Sequence, residues 1–247
     1  MNTQVIRAMR VLVPADMRLI WRDGFLLTFL MVAMPLLCLG LNGLVPFIGD
    51  LVAEWVELEP YYGLILANIL IAGEPVLLGF VIGILFIEER DAGTLLALQA
   101  SPLSLRSFVG YRLVLGMALN VVLTVLGVLL TNYVSIPWPE LLATVAVASL
   151  SVPVVALVYV VYLKNKVQAI MLLKPVQIWG GVPTLLFFVP TPWQWIGSVA
   201  GPLYYPMRLF WGGTEGQVEW WLIVPGVIIP GVAIFWLLRR FERTVYA

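Results

Sequence analysis

Six stretches of the chain run for about twenty residues with little or no charge: Phe25 to Phe47, Gly63 to Ile87, Leu113 to Val134, Leu141 to Leu163, Ala169 to Val189 and Trp220 to Leu238. A hydrocarbon layer of about 30 Å calls for segments of this length, because a helix must satisfy every backbone polar group within itself to cross it. The runs predict an all-α integral membrane protein of six transmembrane helices, forming one transmembrane domain over residues 1–247. Composition agrees, since 62% of the residues are hydrophobic and 11% charged, against about 45 to 50% and 25% in globular domains.

Charge placement orients the spans. The segments before the first run and after the second, fourth and sixth hold Arg7, Arg10, Arg18, Arg22, Arg90, Arg106, Arg112, Lys164, Lys166, Lys174, Arg239, Arg240 and Arg243, leaving Arg208 alone on the other side. By the positive-inside rule the first side is cytoplasmic, and both termini lie there. The opposite segments carry Asp50, Glu54, Glu57, Glu59, Glu140, Glu215 and Glu219, with Trp193, Trp195, Tyr204, Tyr205, Trp211, Trp220 and Trp221 gathered near the last. Such aromatic residues form an interfacial belt.

The first run is long enough to span and lacks an obvious cleavage site, so it is expected to stay in the protein rather than act as a signal peptide. Ahead of it, Ile6, Met9, Val13, Met17 and Ile20 recur at spacings of three and four, while Arg7, Arg18 and Arg22 project elsewhere. Residues 1–24 therefore read as a helix in the membrane surface, with a bend or break at Pro14.

Several chemistries lack their residues. With no histidine and Cys38 as the one cysteine, histidine-ligated zinc, bis-histidine haem, disulfide frameworks and a serine–histidine protease are excluded. No basic run suits nucleic acid, and Lys164, Lys166 and Lys174 lie outside any glycine-rich phosphate-binding loop. No cofactor is expected in this chain, and ATP-driven work would need ATP and Mg in a partner.

The long segment 88–112 begins Glu88-Glu89-Arg90-Asp91-Ala92-Gly93-Thr94-Leu95-Leu96-Ala97-Leu98-Gln99-Ala100-Ser101-Pro102-Leu103-Ser104. Charges end the second span, Gly93 permits a sharp turn, and Thr94 to Ala100 can form a short helix exposing Leu95, Leu96 and Leu98. Ser101 and Pro102 then start another helix, serine as cap and proline where an amide hydrogen would go unpaired. A leucine ridge facing water should pack on its own bundle or on a partner.

This pattern, Glu-rich then Gly-Thr-Leu then Ser-Pro-Leu-Ser, resembles that of the membrane subunits of type-2 ATP-binding-cassette exporters. Glu74-Pro75-Val76-Leu77-Leu78-Gly79, early in the same span, is similar to the corresponding stretch of the fluoroquinolone and drug-export permeases. The resemblance covers Arg18 to Arg112 by motif and the remainder by topology. It implies that 1–24 lies along the inner membrane face and that Glu88, Glu89, Gly93, Thr94, Leu95, Leu96, Leu98, Ser101 and Pro102 belong to a coupling loop seated on an ATPase subunit. It also implies that two permeases pair, as two copies or with a paralogue, in a bacterial or archaeal plasma membrane.

Polar groups inside the spans are candidates for a translocation route. Glu74 lies thirteen residues before Ile87, roughly 20 Å along the helix. It either lines a cavity or gate, or marks the outer end of a shorter span. Asn120, Thr124 and Thr131 share one side of the third span, with Asn68 and Gln177 elsewhere, and helix-to-helix hydrogen bonding accounts for such groups. Lys174 is shallow enough to snorkel to the cytoplasmic surface and is not expected to reach Glu74. Residues 190–219 are apolar but broken by Pro192, Pro202, Pro206 and glycines. A re-entrant outer hairpin fits them better than a seventh span, as the family implies.

The reading that follows is a half-transporter of an ATP-driven exporter, moving a hydrophobic or amphipathic small molecule. The alternative is the substrate-capturing membrane subunit of an ATP-driven importer, which would lack the coupling pattern after the second span.

Overall fold

The computed structural model describes residues 34–93, 105–131, 134–190, 193–195, 198, 201 and 203–246. The interfacial helix expected over 1–24, the Thr94 to Ala100 helix, Ser101 and Pro102 lie outside them. Among the described residues all regular structure is helical, and five helices are long and apolar enough to cross a membrane. Each coincides with one of the last five apolar runs. The described part of the first run is α1, Met34–Val52.

Helix α2 spans Glu59–Asp91 and changes geometry along its length. A 3-10 turn, Glu59–Tyr61, leads through Tyr62–Leu66 into a π-helical stretch, Ala67–Gly73, and then α-helix from Glu74 to Asp91. Pro75 explains the widening: it offers no amide to Ile71, and its ring would collide with that carbonyl in a regular α-helix. The prolines of the fourth span act similarly. Helix α4, Trp138–Ser149, passes at Leu150 into α5, Ser151–Tyr162. Pro153 cannot bond the Ser149 carbonyl, and the turn tightens there, with the Leu150 amide donating to the Val147 carbonyl.

The remaining helices are α3, Leu105–Leu130, α6, Lys166–Leu186, α7, Tyr204–Thr214, and α8, Ile223–Tyr246. At 11 residues, α7 is only about 16 Å long and cannot span. It packs instead beside the π-helical part of α2, α4 and α8.

Helix α2 is the axis of the protomer. Its apolar window is 72% buried, against 18% for α6 and 22% for α8. Toward the Glu88 end, Leu78, Phe80, Phe86 and Ile87 pack with Phe108, Val152, Tyr159, Val160 and Phe241. Toward the other end, Leu66, Leu70, Ile71 and Val76 meet Cys38, Val128, Val145, Met207 and Phe210. Gly79 and Gly83 let α5 approach closely. A Cβ at Gly79 would stand 2.8 Å from the Val152 carbonyl oxygen and 2.6 Å from Val155 Cβ, and one at Gly83 would stand 2.7 Å from Tyr159 Cβ. Small residues four apart are the usual means of joining helices in lipid, where no hydrophobic force favours one apolar contact over another.

Candidate functional site

The end of α2 that leads into the 94–104 segment is tied to three other helices. Glu88 pairs with Lys166 at the start of α6. Glu89 pairs with Arg112 of α3 at 2.6 Å, and the Arg112 guanidinium lies 4.8 Å from the Phe108 ring centroid and 5.9 Å from that of Phe86. Arg90 donates to the carbonyls of Val160, at 3.0 Å, and Lys164, at 2.7 Å, satisfying groups left open where α5 stops. Gly93 closes the segment with φ +71°, the left-handed turn a glycine makes without Cβ strain. Glu88, Glu89 and Gly93 thus stand at the end of α2 that runs into residues 94–104. Their ion-pair partners 78 and 23 residues away were not foreseen.

Glu74 is 1% exposed and sits inside a continuous helix that runs on to Glu59. It is thus enclosed by neighbouring helices rather than placed at a helix end. The Thr124 hydroxyl donates to Glu74 Oε2 at 2.8 Å, and Asn120 Nδ2 donates to Thr124 Oγ1 at 3.4 Å. Glu74 and Asn120 therefore share one buried cluster between α2 and α3. Asn68 stands apart, donating to Thr184 Oγ1 of α6 at 2.5 Å. Thr184 was not singled out from the sequence, although its place after Pro183 marks a spot where α6 has backbone to spare.

Asn68 and Thr184 open onto a groove of about 570 Å³ between α2 and α6, lined by Val56, Leu58, Tyr61, Ile65 and Phe188. Helix α6 itself exposes Lys174 and Gln177 along with Met171 and Ile178. Polar side chains on the outside of a spanning helix are costly against lipid, so this face suits contact with another chain or with water.

At the opposite end Arg208, the lone basic residue on its side, is enclosed. It donates to Glu219 Oε1 from Nε at 3.2 Å and from Nη2 at 2.5 Å, to Gln194 Oε1 at 2.9 Å and to the Tyr204 hydroxyl at 2.7 Å. Ser198 Oγ and the Tyr205 hydroxyl lie 3.0 Å apart in the same cluster. These bonds fasten the segment before α7 to α7 and to the entry of α8. The sequence signal for it was the isolation of one arginine among acidic and aromatic residues.

A family model described as fluoroquinolones export permease protein Rv2686c-like matches residues 16–239. The chain belongs to the fluoroquinolone export permease family. Two relatives from Mycobacterium tuberculosis, the fluoroquinolones export permease proteins Rv2686c of strain H37Rv and MT2760 of strain CDC 1551, are each 28% identical over 98% of this chain and 96% of their own. No solved structure matches. The match spans every described helix up to Arg239, so the resemblance drawn from Glu74 to Gly79 and from 88–112 extends through the later spans of this permease.

Proposed function

We propose that the permease is the membrane-spanning half of an ATP-driven exporter, carrying a hydrophobic or amphipathic small molecule of the fluoroquinolone kind out of the cell. The family match over residues 16–239 carries this reading. In it the chain crosses the plasma membrane six times with both termini in the cytoplasm, 190–219 forms a re-entrant outer segment, and 88–112 is the coupling loop on a separate ATPase subunit that holds ATP and Mg. The export named in the relatives favours it over substrate capture for import.

The geometry supports such coupling. Movement at 94–104 enters α2, the most enclosed helix, and Glu88, Glu89 and Arg90 pass it to α6, α3 and α5 at one level. Charging the leucine ridge by Leu96→Glu is expected to abolish co-purification of the ATPase and transport-linked ATP hydrolysis, while the permease still inserts. Normal co-purification would sink the docking claim.

A second copy or a paralogue covers the groove between α2 and α6, where Asn68 is reachable and where Lys174 and Gln177 would no longer face lipid. Single cysteines at Ile65, Lys174 and Ile178 are expected to cross-link between copies in native membranes. Links confined to single protomers at all three positions would contradict the pairing.

A further inference from the structure

Glu74, Thr124 and Asn120 are 1%, 0% and 0% exposed, yet their hydrogen-bonding capacity is only half used. Oε2 of Glu74 accepts from Thr124, whereas Oε1 has no hydrogen-bond partner, and neither has Oδ1 of Asn120. The donors run in one direction, from the Asn120 amide to the Thr124 hydroxyl to Glu74. Two bare acceptor oxygens remain in the same cluster.

Among the described residues no cation pairs with the carboxyl. None of the ion pairs among the described residues includes Glu74. On the helices around α2, the buried titratable side chains include the Cys38 thiol of α1, the Tyr111 phenol of α3, next to Arg112 in the chain, and the Tyr159 phenol of α5, packed on Phe80. Lys174 of α6 is exposed on the protomer surface. Tyr204, Tyr205 and Arg208 of α7 are bonded within the outer cluster, and Glu140 of α4 lies beside Gly213. The charges of α3 and α8, Arg112, Arg239, Arg240 and Arg243, belong to the Glu88 end. An ionised carboxylate so enclosed would stand uncompensated. A proton on Oε1 removes the charge, converts a bare acceptor into a donor, and leaves Oε2 free to accept from Thr124.

We propose that Glu74 Oε1, with Thr124 and Asn120, is an exchangeable proton-binding site, loaded in the state seen here and emptied when α2 shifts against α3. On release the O–H bond breaks, its electron pair stays on Oε1 and the proton passes to water. The π-helical stretch Ala67–Gly73 ends at Glu74, and such stretches are places where a helix can change register. The site rests on the permease reading only for what drives that shift.

Infrared spectroscopy of the purified permease in sodium-free nanodiscs tests the site without any partner or transported drug, so its failure is separate from failure of the exporter reading. The expected result is a neutral-acid C=O band at neutral pH, lost in Glu74→Gln, moved in frequency in Thr124→Val, shifted by deuterium oxide and replaced by carboxylate bands at alkaline pH. Should Glu74→Gln not fold, the Thr124→Val shift still assigns the band. A carboxylate signal for Glu74 at neutral pH, an unmoved band in Thr124→Val, no deuterium shift after an alkaline excursion, or loss of the band on adding sodium or potassium at fixed pH would each overturn the proposal. The last would mark a metal-cation site instead.

Discussion

Arg112→Ala is expected to destabilise the permease by about 3 kcal/mol, the order found when one member of a buried ion pair is removed and the other stays behind. The Arg112 side chain is 9% exposed and that of Glu89 20%, so little water would reach Glu89 to replace the guanidinium, and the Phe86 and Phe108 rings would lose the cation beside them. Arg112→Lys keeps the charge but gives up the planar contact with Phe108, and a smaller loss is expected. The midpoint of thermal unfolding in detergent should fall in the order wild type, Lys, Ala. A double variant, Glu89→Gln with Arg112→Gln, should recover part of the loss, because neither charge of the pair is then left without the other. An Arg112→Ala midpoint equal to wild type would show that the pair does not hold α2 to α3.

Gly79→Leu should act through packing alone. The added side chain must displace the Val152 carbonyl of α5, which is backbone and cannot rotate away, and the separation of α2 from α5 has to grow. Overpacking of this kind costs about 1 to 3 kcal/mol. It also moves the helix that carries Glu74 and the Glu88 and Glu89 ion pairs, so transport should fall further than yield. Val155→Ala in the same chain relieves the contact at 2.9 Å with Val155 Cγ1 but not those with Val155 Cβ and the carbonyl, and partial rescue is expected. Wild-type stability and transport in Gly79→Leu would rule out close α2–α5 packing.

Five of the six spans were legible in the sequence because length and absence of charge decide whether a segment can sit in hydrocarbon, and neither depends on the rest of the fold. Gly93 was legible for a local reason, since a turn with positive φ suits glycine. Glu74 was recognised as a costly residue, but its surroundings were not: helix α2 is apolar on all sides, and without an amphipathic stripe its rotation cannot be read. The same gap hid Thr124 as its partner, although Asn120 and Thr124 had been placed on one side of α3. Glu88 with Lys166 and Glu89 with Arg112 bring together positions far apart in the chain, and only the packing of four helices sets them at one level. The Gly79-to-Gly83 spacing is a helix-joining pattern in the sequence itself, but which helix it joins depends on the fold.

The proposed exporter divides the labour, with this chain providing the route and another chain supplying the ATP site. Fluoroquinolone uptake into inside-out vesicles, with the permease present alone, the ATPase partner alone, and both together, measures it directly. ATP-dependent accumulation is expected only with both subunits and is abolished by Leu96→Glu in the permease. Equal accumulation by the permease alone, or by both subunits without ATP, would contradict it.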